Sequence, residues 1–192
     1  MLDVEGYVRG LARRRQDIDV TTMRLQAMLG PRINTRMSSY LSLPVVPTVI
    51  GYQPRLQFLH EEDALAAMEH VTLRGRPGTF NIAGDGVVTL TQAIRRVGHV
   101  ELPVVSGLLA PITGVMQNLR SARLRSSQTE FLTYGRVLDT TRMRTELGFA
   151  PRYSTSETLD DFVDRSGVTP VIAPDTWRKA ERQVVSAAHR LA

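Results

Sequence analysis

The sequence of 192 residues contains no cysteine, which excludes disulfide bonds, thiolate metal ligands and cysteine nucleophiles. It is also poor in lysine: Lys179 is the only lysine among 24 basic residues, and all the others are arginine. The formal net charge of +5 would suit nucleic-acid binding only if it were concentrated on one face, but the arginines are scattered. The "RGRP" of residues 74–77 resembles a minor-groove hook, but such hooks usually lie in disordered basic arms, and a turn between a predicted helix and a predicted strand is the favoured explanation. We therefore expect no nucleic-acid partner.

Long hydrophobic runs are absent as well. The most apolar stretch, residues 102–116, is interrupted by Ser106, Pro111 and Thr113. It is shorter than the roughly 20 residues that a membrane-spanning helix needs. The first residues follow a polar helical pattern and lack the basic and then apolar segments of a secretory signal. We therefore expect a cytoplasmic protein that does not enter a membrane.

Segments with helical and strand patterns alternate along the chain. Apolar residues at helical spacing predict a helix at the start, in residues 2–14. β-branched and apolar residues predict one strand in residues 19–29, a second in 55–59 and a third in 79–83. This order of helix, turn and strand is typical of a doubly wound α/β protein.

Capping patterns mark further helices. A Ser or Thr followed three residues later by Glu or Gln predicts the start of a helix, and a glycine predicts its end. The capping pairs are Thr89 with Gln92 and Ser154 with Glu157, and the terminating glycines are Gly98 and Gly148. Asp139 is expected to cap the helix that Gly148 ends. Residues 101–130 are predicted to be mostly helical, and a last amphipathic helix carries Trp177 on its apolar face.

A histidine and three carboxylates occupy four consecutive positions, His60, Glu61, Glu62 and Asp63. A metal site or an acid/base cluster would need these side chains to converge. Adjacent strand residues point to opposite faces, and no second histidine follows at i+4. The alternative is a strand that ends where a helix begins, with Asp63 as the N-cap and the glutamates near the positive helix end. The pattern favours this structural junction and implies no metal.

Phosphate binding is a further candidate function, carried by arginines near strand ends. Arg32 and Arg36 follow the Gly-Pro that ends the first predicted strand, and Arg136 lies beside the last predicted strand, in residues 135–139. Ligands of α/β sheets bind beyond the carboxyl ends of the strands. A solvated surface arginine is the alternative at each position. No G-x-S-x-G motif occurs, and four histidines with scattered serines define no catalytic triad.

Four segments carry a set of motifs in a fixed order. They are "VTTMRLQAMLGP" at 20–31, "LQFLHEEDALAAM" at 56–68, "GTFNIAGDGVVTLTQAI" at 78–94 and "LDTTRMRTELGFAPRYSTSETLDDFV" at 138–163. Together they resemble the C-terminal half of the NAD-dependent epimerase/dehydratase family, extended short-chain dehydrogenases/reductases that include UDP-glucose 4-epimerase. The resemblance implies the C-terminal part of a Rossmann-like doubly wound sheet plus a small, mostly helical substrate-binding subdomain in residues 1–167. Residues 168–192 would form a Pro-containing linker and the C-terminal helix.

The family's catalytic and cofactor-binding motifs are missing. It binds NAD through a glycine-rich turn and catalyses with Tyr-x-x-x-Lys, and neither pattern occurs in this sequence. The family lysine lies one helical turn before the glutamate that Glu5 resembles, which would place it at Met1. We therefore expect no catalytic and no cofactor-binding residue here, and a chain that is inactive alone. The intact enzyme would transfer hydride to and from NAD.

The resemblance also implies a substrate side, with departures from the family. The arginine that often grips a nucleotide-sugar diphosphate corresponds to Leu56, with Arg55 one position away. The family's strand asparagine corresponds to Ala27. The implied substrate-binding residues are Arg32, Arg55 and Arg136, and the implied ligand is a small molecule such as a nucleotide sugar.

Two alternatives stay open beside this interpretation. The chain could be a stand-alone, non-catalytic module that binds a sugar or a protein, or one half of a split enzyme completed by a separate N-terminal half. The exposed surface should discriminate between them, because a half-sheet without its other half leaves apolar area uncovered.

Overall fold

The computed structural model describes residues 2–74, 76–105 and 133–172, which form an α/β fold with parallel strand pairs. The elements in chain order are α1 (Leu2–Arg14), β1 (Thr21–Leu25), β2 (Met28–Leu29), α2 (Arg36–Leu41), β3 (Val45–Val49), β4 (Arg55–Leu56), β5 (Leu59–His60), α3 (Glu61–Arg74), β6 (Gly78–Ile82), β7 (Val88–Thr89), α4 (Leu90–Val97), β8 (Val100–Val104), β9 (Gly135–Arg136), α5 (Thr141–Thr145) and α6 (Thr155–Arg165). The predicted α/β class is confirmed. Within these ranges no helix has the length and apolar character needed to cross a bilayer. The predicted C-terminal helix around Trp177 lies outside the described residues.

Two predicted strands are each divided in the middle, which corrects the sequence-based expectation. Residues 19–29 give β1, which pairs in parallel with β6, and then β2, which pairs in parallel with β5. Residues 55–59 give β4, which pairs with β7 and β9, and then β5. In both cases the chain changes its pairing partner halfway, so one continuous ladder is impossible.

Buried glutamines satisfy the backbone at these two breaks. Gln26 donates from its side-chain amide to the carbonyl of Arg136 at 2.8 Å, and its backbone N–H donates to Ile82. Gln57 donates to the carbonyl of Gly84 at 2.8 Å and accepts from the N–H of Leu138 at 3.0 Å. A buried peptide group without such a partner would be costly, so these amides hold separate sheets together.

A small parallel sheet of β3 and β8 was not expected, because residues 101–130 were predicted to be mostly helical. Val45 lies opposite Val100, and Val49 lies opposite Val104. Prolines 47 and 103 stand inside these strands. The described sheet has two strands, so both are edge strands, and an edge strand tolerates proline because its missing N–H can face away from the partner. The rest of the predicted helical region, residues 106–132, lies outside the described residues.

Buried apolar side chains form two clusters. One joins α2, β3, β4, α4 and α6 through side chains that include Tyr40, Leu56 and Phe162. The other joins β5, α3, β6 and α5 through side chains that include Phe80 and Met143. Each fully buried side chain of this size contributes roughly 1.5–3 kcal/mol, so these clusters supply most of the driving force for folding.

Both predicted capping boxes are confirmed. The hydroxyl of Thr89 accepts from the N–H of Gln92 at 3.2 Å, and the Gln92 side chain accepts from the N–H of Thr89 at 2.8 Å. Helix α6 begins with the same reciprocal pair, Ser154 and Glu157. Gly98 ends α4 in the left-handed conformation at φ 80°. These local signals fix where α4 and α6 start.

The segment around α1 and β1 is only partly covered. Val4 and Tyr7 on α1 are 66% and 68% exposed, and every described residue of β1 is half-buried. Glu5 holds α1 against β1, because both oxygens of its carboxylate accept hydrogen bonds from the guanidinium of Arg24. These bonds lower the pKa of Glu5 to about 2. Among the described residues, β1 has one neighbouring strand, β6.

We predict that Gly135→Ala destabilises the protein strongly. Gly135 has φ +74°, and a Cβ there would meet the backbone carbonyl oxygen and amide nitrogen of Arg55, its partner across β4 and β9. The left-handed backbone costs a side chain about 1–2 kcal/mol, and separating the strands adds to that. We expect a loss of more than about 2 kcal/mol in urea denaturation.

Gly148→Ala is the matched control, because Gly148 has a similar φ of +69° but no atom within 4 Å of the added Cβ. It should lose only about 1–2 kcal/mol, the backbone cost alone. Equal losses in the two variants would contradict the close approach of Gly135 to β4.

Candidate functional site

The junction of β5 and α3 is built on a histidine ring that takes over the role expected of Asp63. Helix α3 begins at Glu61, directly after His60, so Asp63 lies inside the first turn and is not the N-cap. The Nδ1 atom of His60 accepts from the N–H of Glu62 at 3.2 Å. The expected N-cap at Asp63 was therefore wrong. The helix begins two residues earlier, and the ring of His60 accepts the first-turn N–H that the cap was expected to bind.

Asp63 connects this helix to a distant loop instead. Its two carboxylate oxygens accept from the backbone N–H groups of Arg152 at 2.8 Å and Tyr153 at 3.0 Å. Asp63 is 1% exposed, so both bonds are shielded from water. Hydrogen bonds to a buried charged group contribute roughly 1.5–3 kcal/mol, which makes Asp63 a strong clamp between α3 and the segment before α6.

His60 itself is fully buried and contacts three elements. Because Nδ1 accepts from Glu62, the proton lies on Nε2, which donates to Asp161 of α6 at 3.1 Å. The ring of Tyr153 stacks on the imidazole at 3.8 Å with a 20° interplanar angle. The Tyr153 hydroxyl donates to Glu62 at 3.3 Å. Both ring nitrogens and one ring face of His60 are thus occupied by the protein.

Asp161 completes this network from α6. Burial acts to raise the pKa of Asp161, but hydrogen bonds from His60 and Arg165 outweigh it and hold the pKa below its ordinary value. Arg165 lies 3.1 Å from the carboxylate. The hydrogen bonds from His60 and Arg165 therefore favour the charged form of Asp161. With 0% exposure, His60 cannot reach a substrate to exchange a proton with it.

Metal binding gains no support from this geometry. In the ranges 2–74, 76–105 and 133–172, no group of three or more His, Asp or Glu side chains could hold a metal ion. The carboxylates of the junction face different partners: Glu61 binds Arg32, Asp63 binds the backbone of the 152–153 loop, and Asp161 binds His60.

Arg32, the first of the candidate phosphate ligands, is occupied by carboxylates. Its Nε atom donates to Glu61 at 2.9 Å, and its terminal nitrogen donates to Glu62 at 2.9 Å. The backbone N–H of Arg32 also donates to Glu61, whose side chain is 6% exposed. Gly30 makes room for this pair, since a Cβ there would collide with the Glu61 carboxyl group. Arg32 thus neutralises a buried carboxylate.

The other two candidates, Arg55 and Arg136, line one cavity. It has a volume of about 850 Å³ and lies among β4, β7, β9 and the start of α4. None of the ten described residues that line it is an aspartate or a glutamate. The structure therefore brings Arg55 and Arg136 together at one cavity and places Arg32 elsewhere.

Aromatic and amide side chains at this cavity were not anticipated from the sequence. Tyr134 lines it and is 68% exposed, and its ring meets that of Tyr52 edge to face at 5.7 Å. Gln53 and Gln92 also line the cavity. These residues come from three distant segments, so no spacing in the sequence signals their meeting.

The position that the sequence resemblance assigns to the family arginine is occupied by Leu56, and the neighbouring Arg55 does not occupy the same place. Leu56 is 0% exposed and belongs to the cluster with Tyr40 and Phe58. Successive strand residues point to opposite faces, so Arg55 is directed away from that cluster. The position of the family arginine is therefore filled by core packing.

Comparisons with known proteins show what this fold is similar to. No protein-family model matches the chain. Uncharacterized proteins of Mycobacterium bovis and Mycobacterium tuberculosis are 47% identical over 189 residues, which is 98% of this chain and 50% of each relative. A second, more distant uncharacterized protein of Mycobacterium tuberculosis is 24% identical over 148 residues, covering 76% of this chain and 16% of that protein. The chain spans about half the length of these 47% identical relatives.

Solved structures give a consistent picture of the fold. A dTDP-glucose 4,6-dehydratase from Bacillus anthracis in complex with NAD has a TM-score of 0.59 and 17% identity, covering 83% of this chain and 48% of that chain. A UDP-glucose 4-epimerase from Thermotoga maritima with UDP-glucose has a TM-score of 0.58 and 17% identity, covering 85% and 50%. A UDP-N-acetylglucosamine 4-epimerase from Bacillus cereus scores 0.54 at 12% identity. The fold of this chain resembles half of the Rossmann-like fold of these epimerases and dehydratases.

We predict that Asp161→Asn makes the protein less sensitive to acid. A carboxylate whose folded pKa is depressed adds stability above its unfolded pKa near 4, and this is lost as pH falls through the folded pKa. The variant should lose roughly 1–3 kcal/mol at pH 7 and should show a flatter decline of unfolding free energy below pH 4. Chemical denaturation at a series of pH values measures both.

Asp19→Asn, which replaces an exposed carboxylate before β1, is the matched control. It should keep both the stability at pH 7 and the acid sensitivity of the unmodified protein. If Asp161→Asn declined as steeply in acid as the unmodified chain, the coupling between His60 and Asp161 would be disproved.

Proposed function

We propose that this chain is the substrate-side, C-terminal portion of an NAD-dependent oxidoreductase of the epimerase/dehydratase type. The NAD-binding turn and the Tyr-x-x-x-Lys pair would come from residues outside this sequence. The supporting observation is partial coverage. The chain aligns with about half the length of solved dehydratases and epimerases, and with half the length of relatives that are 47% identical.

The hydrogen-bonding pattern of β1 supports a further strand on its outer edge. The N–H of Gly78 donates to Val20 at 3.0 Å, and the N–H of Gln26 donates to Ile82 at 3.0 Å. Because hydrogen-bonding residues alternate along a parallel strand, the backbone groups of Thr21, Met23 and Leu25 face away from β6. A half-buried strand with one described neighbour fits a sheet that another segment continues.

The residues of this chain do not themselves fit an NAD site. A dinucleotide-binding turn needs closely spaced glycines between a strand and a helix, so that backbone N–H groups approach the pyrophosphate. No G-x-G-x-x-G or G-x-x-G-x-x-G occurs in the sequence, and no tyrosine precedes a lysine by four positions. Bound NAD would supply hydride transfer in the intact enzyme. We assign no part of that transfer to a residue of this chain.

One observation favours the split-enzyme alternative over a simple fragment. Two apolar clusters are closed within the chain, and segments as distant as Phe58 and Thr155 are joined by a buried hydrogen bond at 3.2 Å. A half with its own cores could fold first and associate later with a separate partner. A stand-alone sugar- or protein-binding module would need no such partner.

The cytoplasmic location stays a prediction.

We predict that the 192-residue chain alone shows neither tight NAD binding nor NAD-dependent turnover. NAD binding should appear when the chain is co-expressed with the half of the Mycobacterium tuberculosis relative that it does not match, which on this proposal is the N-terminal half. Calorimetric titration of NAD into the chain, into the separate half and into the co-purified pair measures this. Tight binding by the 192-residue chain alone would refute the proposal.

A variant at the β1 edge tests how the halves would join. Met23→Pro removes an N–H that faces the outer edge, so it should abolish co-purification while β1 keeps its bonds to β6. Met23→Ala is the matched control, because it loses the same side chain and keeps the N–H. Co-purification that survives Met23→Pro would exclude strand addition at β1.

A further inference from the structure

We propose that the edge of the sheet at which β1 and β6 begin docks on an anionic lipid membrane. This basic edge consists of four exposed arginines and two exposed apolar side chains: Arg13, Arg14, Arg74, Arg76, Ile18 and Leu73. Adsorption to a membrane surface needs no membrane-spanning helix. The inference goes beyond the proposed function and is independent of it, because the docking needs neither NAD nor a second half.

The fold brings together arginines that are scattered in the sequence. Helix α1 ends at Arg14 shortly before β1, and α3 ends at Arg74 shortly before β6. Thr21 and Gly78, the first residues of these strands, lie opposite each other in the parallel ladder. The Thr21 hydroxyl donates to the carbonyl of Arg76 at 2.7 Å. Both helix ends and both following turns therefore lie at one edge of the sheet.

The four arginines of the basic edge keep their charge available. In residues 2–74, 76–105 and 133–172 none of them forms an ion pair, whereas Arg15 is held by Asp17 and Arg142 by Glu146. Asp19 is a further carboxylate of the turn before β1, and the four unpaired arginines outnumber it. A group of cations on one face raises the local positive potential and attracts an anionic surface.

Part of this arrangement has a local cause. Cations in the last turn stabilise the negative end of a helix, and Arg13, Arg14 and Arg74 occupy such positions. Arg76 lies between α3 and β6, outside any helix, so this cause does not account for it. All four residues are exposed, and an external anion can therefore reach them.

Two exposed apolar side chains at the same edge favour a membrane over a nucleic acid. Leu73, directly before Arg74, is 73% exposed, and Ile18, in the turn after α1, is 41% exposed. An anionic lipid surface attracts arginines through its headgroups and also takes up neighbouring apolar side chains. The phosphate backbone of a nucleic acid would use the arginines alone. The combination therefore fits a lipid surface.

The test is flotation of the 192-residue chain with vesicles of phosphatidylglycerol and phosphatidylcholine in equal parts, and with vesicles of phosphatidylcholine alone. We expect binding to the mixed vesicles that weakens as salt is added, because salt screens exposed charges. Binding to phosphatidylcholine alone should be at least about tenfold weaker. Absence of binding to the mixed vesicles, or equal binding to both kinds, would overturn the proposal.

Arginine variants locate the contact. Each arginine near an anionic membrane strengthens binding about fivefold, so Arg76→Gln should weaken it about fivefold and the double variant Arg74→Gln/Arg76→Gln about 25-fold. Arg152→Gln is the matched control and should leave the affinity unchanged. The backbone of Arg152 is held by Asp63 near the opposite end of α3, about 16 Å from Arg74. Equal losses for Arg152→Gln and Arg76→Gln would overturn the basic edge as the docking surface.

Leu73→Gln separates a lipid surface from a nucleic acid. It should weaken binding to the mixed vesicles about tenfold and leave any binding of a DNA duplex unchanged. Leu65→Gln is the matched control, because Leu65 is 63% exposed on the same helix but about 12 Å away along its axis. If Leu73→Gln bound the vesicles as tightly as the unmodified chain, the contact would be electrostatic alone and the lipid assignment would be overturned.

A measurement on the unmodified protein covers the case in which a variant fails to fold. Phenylglyoxal modifies exposed arginines, and mass spectrometry reports the modified fraction of each arginine-containing peptide. The mixed vesicles should protect Arg74 and Arg76 and leave Arg152 reactive, and a lack of selective protection would overturn the proposal.

Discussion

The hydrogen bond between the buried ring of His60 and the carboxylate of Asp161 is the constraint on which the described structure depends. It joins the end of β5 to the middle of α6 across 101 positions of sequence. Because His60 also satisfies the first turn of α3, one imidazole fixes the direction of a strand and of two helices. Asp63 then attaches the loop before α6 to the same point. Removing one partner would leave a buried polar group unpaired, and such losses are expensive.

The connection between the separate sheets depends on two buried amides and one glycine. Gln26 and Gln57 each bond to the backbone at or just after β9, at the carbonyl of Arg136 and the N–H of Leu138. Gly135 lets β9 approach β4 closely enough to pair. The cavity is therefore a product of long-range polar contacts, and its arginines are positioned by strands that contribute only two residues each.

Local patterns in the sequence were sufficient for part of this structure. The α/β class and both capping boxes are confirmed, because they depend on residue spacing within one element. The division of strands at Gln26 and Gln57 depends on which distant segment pairs next, and no local pattern carries that information. Asp63 was misassigned because a histidine ring replaced the expected cap. Arg32 seemed equivalent to the other arginines until the fold placed Glu61 beside it.

The outer edge of β1 affects whether the chain aggregates in a cell. Backbone donors and acceptors in a row form a template that accepts any extended segment, including the same edge of another copy. Self-association of this kind rises steeply with concentration, whereas capture by a tethered segment does not depend on concentration at all. A covalently linked N-terminal half would therefore protect β1 during synthesis, and a separate half would have to be present in time to compete with aggregation.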